Sequence, residues 1–418
     1  VGGGWAALLG ESLELPAAGD ARLPAHGGVY LLTDADDRPI LLAACEDLRR
    51  VVTARLASAP LPAADADAPV GPGVTRGPKA RERRTNLREV TRRVYWRATF
   101  SPFETALRYA TIARQVYPGD HRRRLGFGPA WFLRGDPREA FPRITTTTEP
   151  EDDGATYVGP YATRSDARTA VAVLEDAFDL CRKFEILQQA PRGRPCEYLD
   201  MGKCPAPCDG RVPMSAYQDA IRRAMETAGG RHDRHLAELE SRMRQAAAEL
   251  AFERAAAMRQ TIERLRTHLA SESARHAGEL SEFRWLILQR GGPRSRSAKR
   301  QLIRPFFASR LGVWEGAPAL LADLVRAAPG WLAQARHGEP AERQRIDERS
   351  EGIWCVCHYL FKGPAAPGLF CRADRAGDDL AAAATARFLS LPGAKTDVST
   401  AGDEIESSDS ASHGSGET

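Results

Sequence analysis

Four cysteines, Cys181, Cys196, Cys204 and Cys208, lie in one stretch, LCRKFEILQQAPRGRPCEYLDMGKCPAPC, half of the eight in the chain. Thiols gathered this closely hold a metal or cluster, form disulfides, or stay as buried free thiols. Four thiolates suit tetrahedral zinc, but the C-x14-C-x7-C-x3-C spacing lacks the usual C-x2-C knuckles. Iron–sulfur clusters also take four thiolates and tolerate looser spacing. In a reducing compartment such a cluster favours metal over disulfide. A second group, Cys355, Cys357, His358 and Cys371, has no ligand spacing. The alternation of Trp354, Val356 and His358 predicts a core strand there instead. Cys45 stands alone and is expected to be structural.

Charge is the second chemical signal. The formal net charge is only +4, but it is uneven. Arg76, Lys79, Arg81, Arg83, Arg84, Arg88, Arg92, Arg93 and Arg97 are opposed only by Glu82 and Glu89. A second run holds Arg294, Arg296, Lys299, Arg300 and Arg304 with no acid. Such runs release counterions on a phosphate backbone, or are solvated loops. Arg81, Arg83, Arg84, Arg92 and Arg93 are the candidate nucleic-acid-binding residues.

The elements that must position these groups make an α+β, multidomain chain; 418 residues exceed one ordinary core. Residues 28–33, GVYLLT, and 39–44, PILLAA, predict two strands around a polar turn. A helix follows on Leu48, Val51, Val52 and Leu56, then an Ala/Pro/Gly-rich loop over 57–80. A strand at 94–100 leads into a helix over 102–116, opened by a Ser101–Glu104 capping box. Residues 24–119 thus form a small α/β domain. Residues 120–230 read as an irregular linker with helices over 163–177 and 215–228 and the cysteine segment. Leu236, Leu239, Met243 and Leu250, then Ala255, Met258, Ile262, Leu265 and Leu269, predict a helical hairpin over 231–270. Strands at 283–290 and 302–311 and an Ala-rich helical stretch over 317–350 make a further α/β domain, 281–394. The tail 395–418 is low in complexity and expected to be disordered. No apolar run approaches the ~20 residues of a membrane helix, and no signal peptide is read, so the expectation is a cytoplasmic protein without a membrane partner.

Residues 24–290 resemble the UvrC family, the excinuclease subunit of bacterial nucleotide excision repair. The likeness rests on YVGPY (157–161), on RPCEYLDMGKCPAPC (194–208), and on the hairpin run of Ala247, Leu250, Phe252, Glu253, Ala255, Ala256 and Arg259. The resemblance implies a [4Fe–4S] cluster on Cys181, Cys196, Cys204 and Cys208, with zinc the second choice. Leu180 directly precedes Cys181, where the family has Leu-Arg-x, which departs at the first ligand. It also implies that the hairpin captures the C-terminal helical hairpin of a UvrB-like partner through Leu250, Phe252, Glu253, Ala256 and Arg259. The 24–119 domain is then similar to a GIY-YIG nuclease. Gly28-Val29-Tyr30 matches the first half of that signature. The second half falls on Leu41-Leu42-Ala43-Ala44, the active-site arginine on or beside Val51 with Arg49 and Arg50 as neighbours, and the metal-binding glutamate on Tyr109, with Glu104 one turn early. Tyr30 alone survives as a catalytic match, or is simply a half-buried strand residue. A tyrosine offers no hard anionic oxygen for magnesium at neutral pH. A degenerate, non-cutting repair protein that binds UvrB and DNA is therefore expected, and the residues after 280 are too few for the family's second nuclease. Two readings compete: an active endonuclease that uses a divalent metal on Glu104 or another carboxylate, and an interaction protein unrelated to repair that reuses the hairpin.

Overall fold

A computed structural model describes residues 4–15, 22–57, 87–293, 300–374 and 379–390. The predicted loop at 57–80 beyond its first residue, most of the first basic run including Arg81, Arg83 and Arg84, and the tail at 395–418 lie outside the described residues.

Three antiparallel sheets organise the chain. The first runs β1 (Glu11–Glu14), β4 (Arg93–Ala98), β2 (Gly28–Thr33), β3 (Pro39–Cys45) in spatial order. Every residue of β2 is buried because both faces are covered. Tyr30 and Leu32 pack with Leu48 and Val52 of α2 (Leu48–Leu56) on one side. Val29 and Leu31 pack with Phe103 and Ala110 of α3 (Pro102–Val116) on the other. Gly28 must be glycine, since a Cβ there would stand 2.4 Å from the Arg97 carbonyl oxygen. The N-terminal α1 (Gly4–Leu9) and β1 add an edge that periodicity did not predict.

The 120–160 region is not irregular. It supplies β5 (Trp131–Gly135), β6 (Thr145–Thr147) and β7 (Thr156–Tyr161), completed by β8 (Gly278–Glu279) in the order β6-β5-β7-β8. Helices α4 (Arg164–Ala177) and α5 (Met214–Ala228) pack on this sheet through Ala170, Leu174, Ile221 and Met225. The hairpin α6 (Asp233–Ala248) and α7 (Phe252–Leu269) follows.

The third sheet, β11-β10-β9-β13, joins β9 (Trp285–Arg290), β10 (Leu302–Ser309), β11 (Gly312–Glu315) and β13 (Leu369–Arg372), with β12 (Ala319–Leu320) beside β10. Helices α8 (Leu324–His337) and α10 (Leu380–Ser390) cover one face. Residues 354–358 are not a strand but the end of α9 (Ile346–Leu360) on the other face. Arg349 through Cys357 are buried without a break, so α9 is enclosed on all sides and shows no amphipathic period.

The first and third sheets share a core. Phe103 meets Phe306, Tyr359 and Phe370 edge-on, with ring centroids 5.3, 5.6 and 5.7 Å away. Above it Glu351, 1% exposed, accepts from Arg114 Nη2 at 2.5 Å and Arg122 Nε at 3.1 Å and lies 2.8 Å from His121 Nε2. A buried carboxylate is tolerable only with such pairing.

Candidate functional site

The cysteine segment leaves the end of α4, whose start is fixed by a Thr163–Asp166 capping box. Cys181 is half-buried; its backbone N–H donates to the Tyr217 hydroxyl at 3.1 Å and its thiol to the Lys183 carbonyl at 3.4 Å. Cys196 precedes a single helical turn, Glu197–Asp200. Ala206 takes the left-handed conformation, φ 54°, and reverses the chain between Cys204 and Cys208, both buried. The Gly193 N–H closes the loop on the Cys208 carbonyl at 2.8 Å. The neighbouring Cys181, the Ala206 N–H and the Arg182 charge lower the Cys204 pKa, while Cys204 and burial raise that of Cys181. Cys208 is raised by burial, and Cys196 is within electrostatic reach of both Cys181 and Cys208. Among the described residues, no three His, Cys, Asp or Glu side chains already stand in metal-ligating geometry. The donors match a soft, thiolate-bound metal.

The hairpin is rooted beside this segment. Asp176 accepts from Arg182 Nη2 at 2.5 Å and pairs with Arg264 of α7 at 2.7 Å. His235 of α6 stacks on Phe178, centroids 3.7 Å apart, and lies 3.1 Å from the Ala177 carbonyl. Leu239, Ile262 and Leu265 are buried against α4 and α5. Sequence periodicity found the stripe, but no local pattern marks Arg182, Asp176, Phe178 or Tyr217 as its anchors. Away from this base the apolar surface is free: Leu250 is 73% and Phe252 65% exposed, and Glu253, Ala256 and Arg259 are exposed beside them. Leu250 makes the turn at φ 59°.

The remaining predicted site residues are dispersed. Tyr30 is fully buried, opposite Ala43 and Trp96, with no partner for its hydroxyl. Burial pushes its phenol well above the ordinary value. Arg49 Nε donates to the Leu23 carbonyl at 2.7 Å. Tyr109 is a core residue, its phenol pushed up to about 12 by burial. Glu104, 1% exposed, accepts from the Phe100 N–H at 3.1 Å and from Arg304 Nη1 at 2.9 Å. Burial raises its pKa against the pull of Arg304. Arg92 donates to the Glu89 and Thr91 carbonyls, and Arg93 pairs with Glu14 at 3.6 Å. Cys355 and Cys357 are fully buried core thiols, as their spacing suggested. No described helix is long and apolar enough to cross a membrane.

Known proteins match the same region. The UvrC/Cho excinuclease middle domain matches residues 130–227, and the UvrB/uvrC motif matches 233–267. The UvrABC system protein C of Thermus thermophilus is 35% identical over 154 residues, 37% of this chain and 26% of that protein. Its counterpart in Syntrophus aciditrophicus is 36% identical over 132 residues, 31% of this chain and 21% of that protein. That of Moorella thermoacetica is 28% identical over 244 residues, 58% of this chain and 36% of that protein. The chain thus spans between about a fifth and about a third of the length of these curated relatives. No solved structure matches it. From the second sheet through the helical hairpin, the chain resembles the UvrC family.

Proposed function

We propose that the chain is a UvrC-like protein of nucleotide excision repair that docks a UvrB-like partner on its hairpin tip and contacts DNA, with its GIY-YIG endonuclease site lost. The observation that carries this reading is the division of the hairpin: its base is spent on the α4–α5 core, while Leu250 and Phe252 remain exposed at the tip. Large exposed side chains next to small alanines suit a second helix pair of complementary apolar face. In a pull-down against the C-terminal helical hairpin of a UvrB-like protein, Phe252→Ala weakens capture by about 1–3 kcal/mol, as for an interface anchor. Unchanged capture contradicts the proposal.

Loss of cutting is supported by chemistry. Phosphodiester hydrolysis needs an activated water, a metal held by a hard anionic oxygen, and a cation on the phosphate. The Tyr30 hydroxyl is sealed in a core, and the Glu104 carboxylate is committed to Arg304 and to the start of α3. Metal-dependent nicking by the full chain, abolished by Tyr30→Phe, would reverse this part of the reading.

Cys181, Cys196, Cys204 and Cys208 are the residues that would hold a [4Fe–4S] cluster, with zinc as the alternative occupant. A bound cluster supplies a four-thiolate cross-link within the loop. The thiol donor set and the electrostatic interaction of Cys181 with Cys204 and Cys196 support it. Protein purified without oxygen should carry about four iron atoms and absorb near the thiolate-to-iron charge-transfer region. Stoichiometric zinc, or neither metal, excludes the cluster.

A further inference from the structure

The seam between the first and third sheets gathers three guanidiniums around two carboxylates. Arg304 Nη1 of β10 donates to Glu104 at 2.9 Å and to Glu315 of β11 at 3.5 Å. Arg108 Nη2 of α3 donates to the same Glu315 oxygen. Arg97 of β4 is within electrostatic reach of all four, yet its one described hydrogen bond goes to the Leu8 carbonyl at 3.3 Å. Three positive charges therefore meet two negative ones. Two donors are also left over: the buried Nε atoms of Arg108 and Arg304 have no hydrogen-bond partner. Buried N–H groups of charged side chains are costly to leave unpaired. Burial lowers the Arg97 pKa and the like charges of Arg108 and Arg304 add to it, while Glu315 and Glu104 pull the other way. The cluster is not sealed: the Arg108, Arg304 and Glu315 side chains are 20%, 22% and 41% exposed.

We propose that Arg97, Arg108 and Arg304 form a binding site for a phosphate-class oxyanion, built jointly by the N-terminal α/β unit and the third sheet. The planar guanidinium fork matches phosphate oxygens, and the partly exposed Arg108 and Arg304 side chains bring their spare, buried Nε–H groups to an anion by a small side-chain shift. The site needs no metal, and as a free-anion site it stands apart from the repair reading, since none of its residues lies in the matched segments 130–227 and 233–267. A free phosphate and a phosphate of a nucleic-acid strand share this chemistry.

The test uses the full chain and two variants of opposite sign. Arg97→Met removes the cation that has no carboxylate, and Glu315→Gln removes a competing anion. Inorganic phosphate is titrated against chloride at equal ionic strength by thermal shift, and a labelled oligothymidylate 12-mer by fluorescence anisotropy. Arg97→Met should weaken binding about tenfold, as for the loss of a charged hydrogen bond, and Glu315→Gln should strengthen it. A response to phosphate alone assigns a free anion; a response to the 12-mer, falling with salt, assigns a strand. Binding that neither variant changes, or that both weaken alike, overturns the proposal, because general loss of folding cannot strengthen one of them.

Discussion

At the scale of single residues, burial decides what each chemical group can do. Tyr30 and Cys45 illustrate it: both sit by Arg55, yet burial dominates and raises both, with Cys45 pushed up to about 12. His358 shows the converse. It lies between Phe127 and Tyr359, its Nε2 has no partner, and burial pushes its pKa down to about 4, helped by Lys362. A depressed folded-state pKa means the unfolded chain binds the proton first. The stability His358 contributes is therefore complete above its unfolded value near 6.5 and is lost as pH falls towards 4. The thermal midpoint should drop over that window, and His358→Phe should flatten the drop; an identical pH profile in the variant contradicts the assignment. None of this was legible beforehand. The alternation around His358 suggested a strand, because a segment buried on every side carries no period to distinguish the two.

At the scale of elements, the hairpin is the part the sequence disclosed best. Its stripe recurs every three or four residues, and such local order survives folding unchanged. The strands of the second sheet were hidden for the opposite reason: β6 is a run of threonines, and β7 is completed by β8, about 120 residues later in the chain. The cysteine segment was conspicuous as composition, but its union with the hairpin base through Asp176, Arg182 and Arg264 joins residues far apart in sequence. The hairpin turn carries its own prediction. Leu250 holds a left-handed conformation that costs a branched L-residue about 1–2 kcal/mol, and its exposed side chain recovers little of that by packing. Leu250→Gly should raise stability by about 1 kcal/mol in urea unfolding while weakening capture of a UvrB-like hairpin. A gain in stability with full capture would detach the strain from the docking role.

At the scale of the whole molecule, the N-terminal unit and the third sheet act as one body around Phe103 and Glu351. Strands β2, β3 and β4 and helices α2 and α3 of the N-terminal unit were legible, but α1 and β1 were not. Nor was the partner of Glu104, since it finds Arg304 200 positions away. Glu351 ties α9 to α3, and Glu351→Gln leaves Arg114, His121 and Arg122 short of a buried anion. That should cost about 3–5 kcal/mol, seen as a lower urea midpoint; a loss within about 0.5 kcal/mol, ordinary for a surface site, would show the seam held by Phe103 alone. The hairpin, rooted on α4 and α5 of the second sheet, is proposed to present its tip to a repair partner. That docking is tested most directly by calorimetric titration of the full chain with the C-terminal helical hairpin of a UvrB-like protein. Saturable binding, weakened about tenfold or more by Phe252→Ala with folding intact, is the predicted result. No binding by the folded wild-type chain, or equal affinity in the variant, would contradict the account.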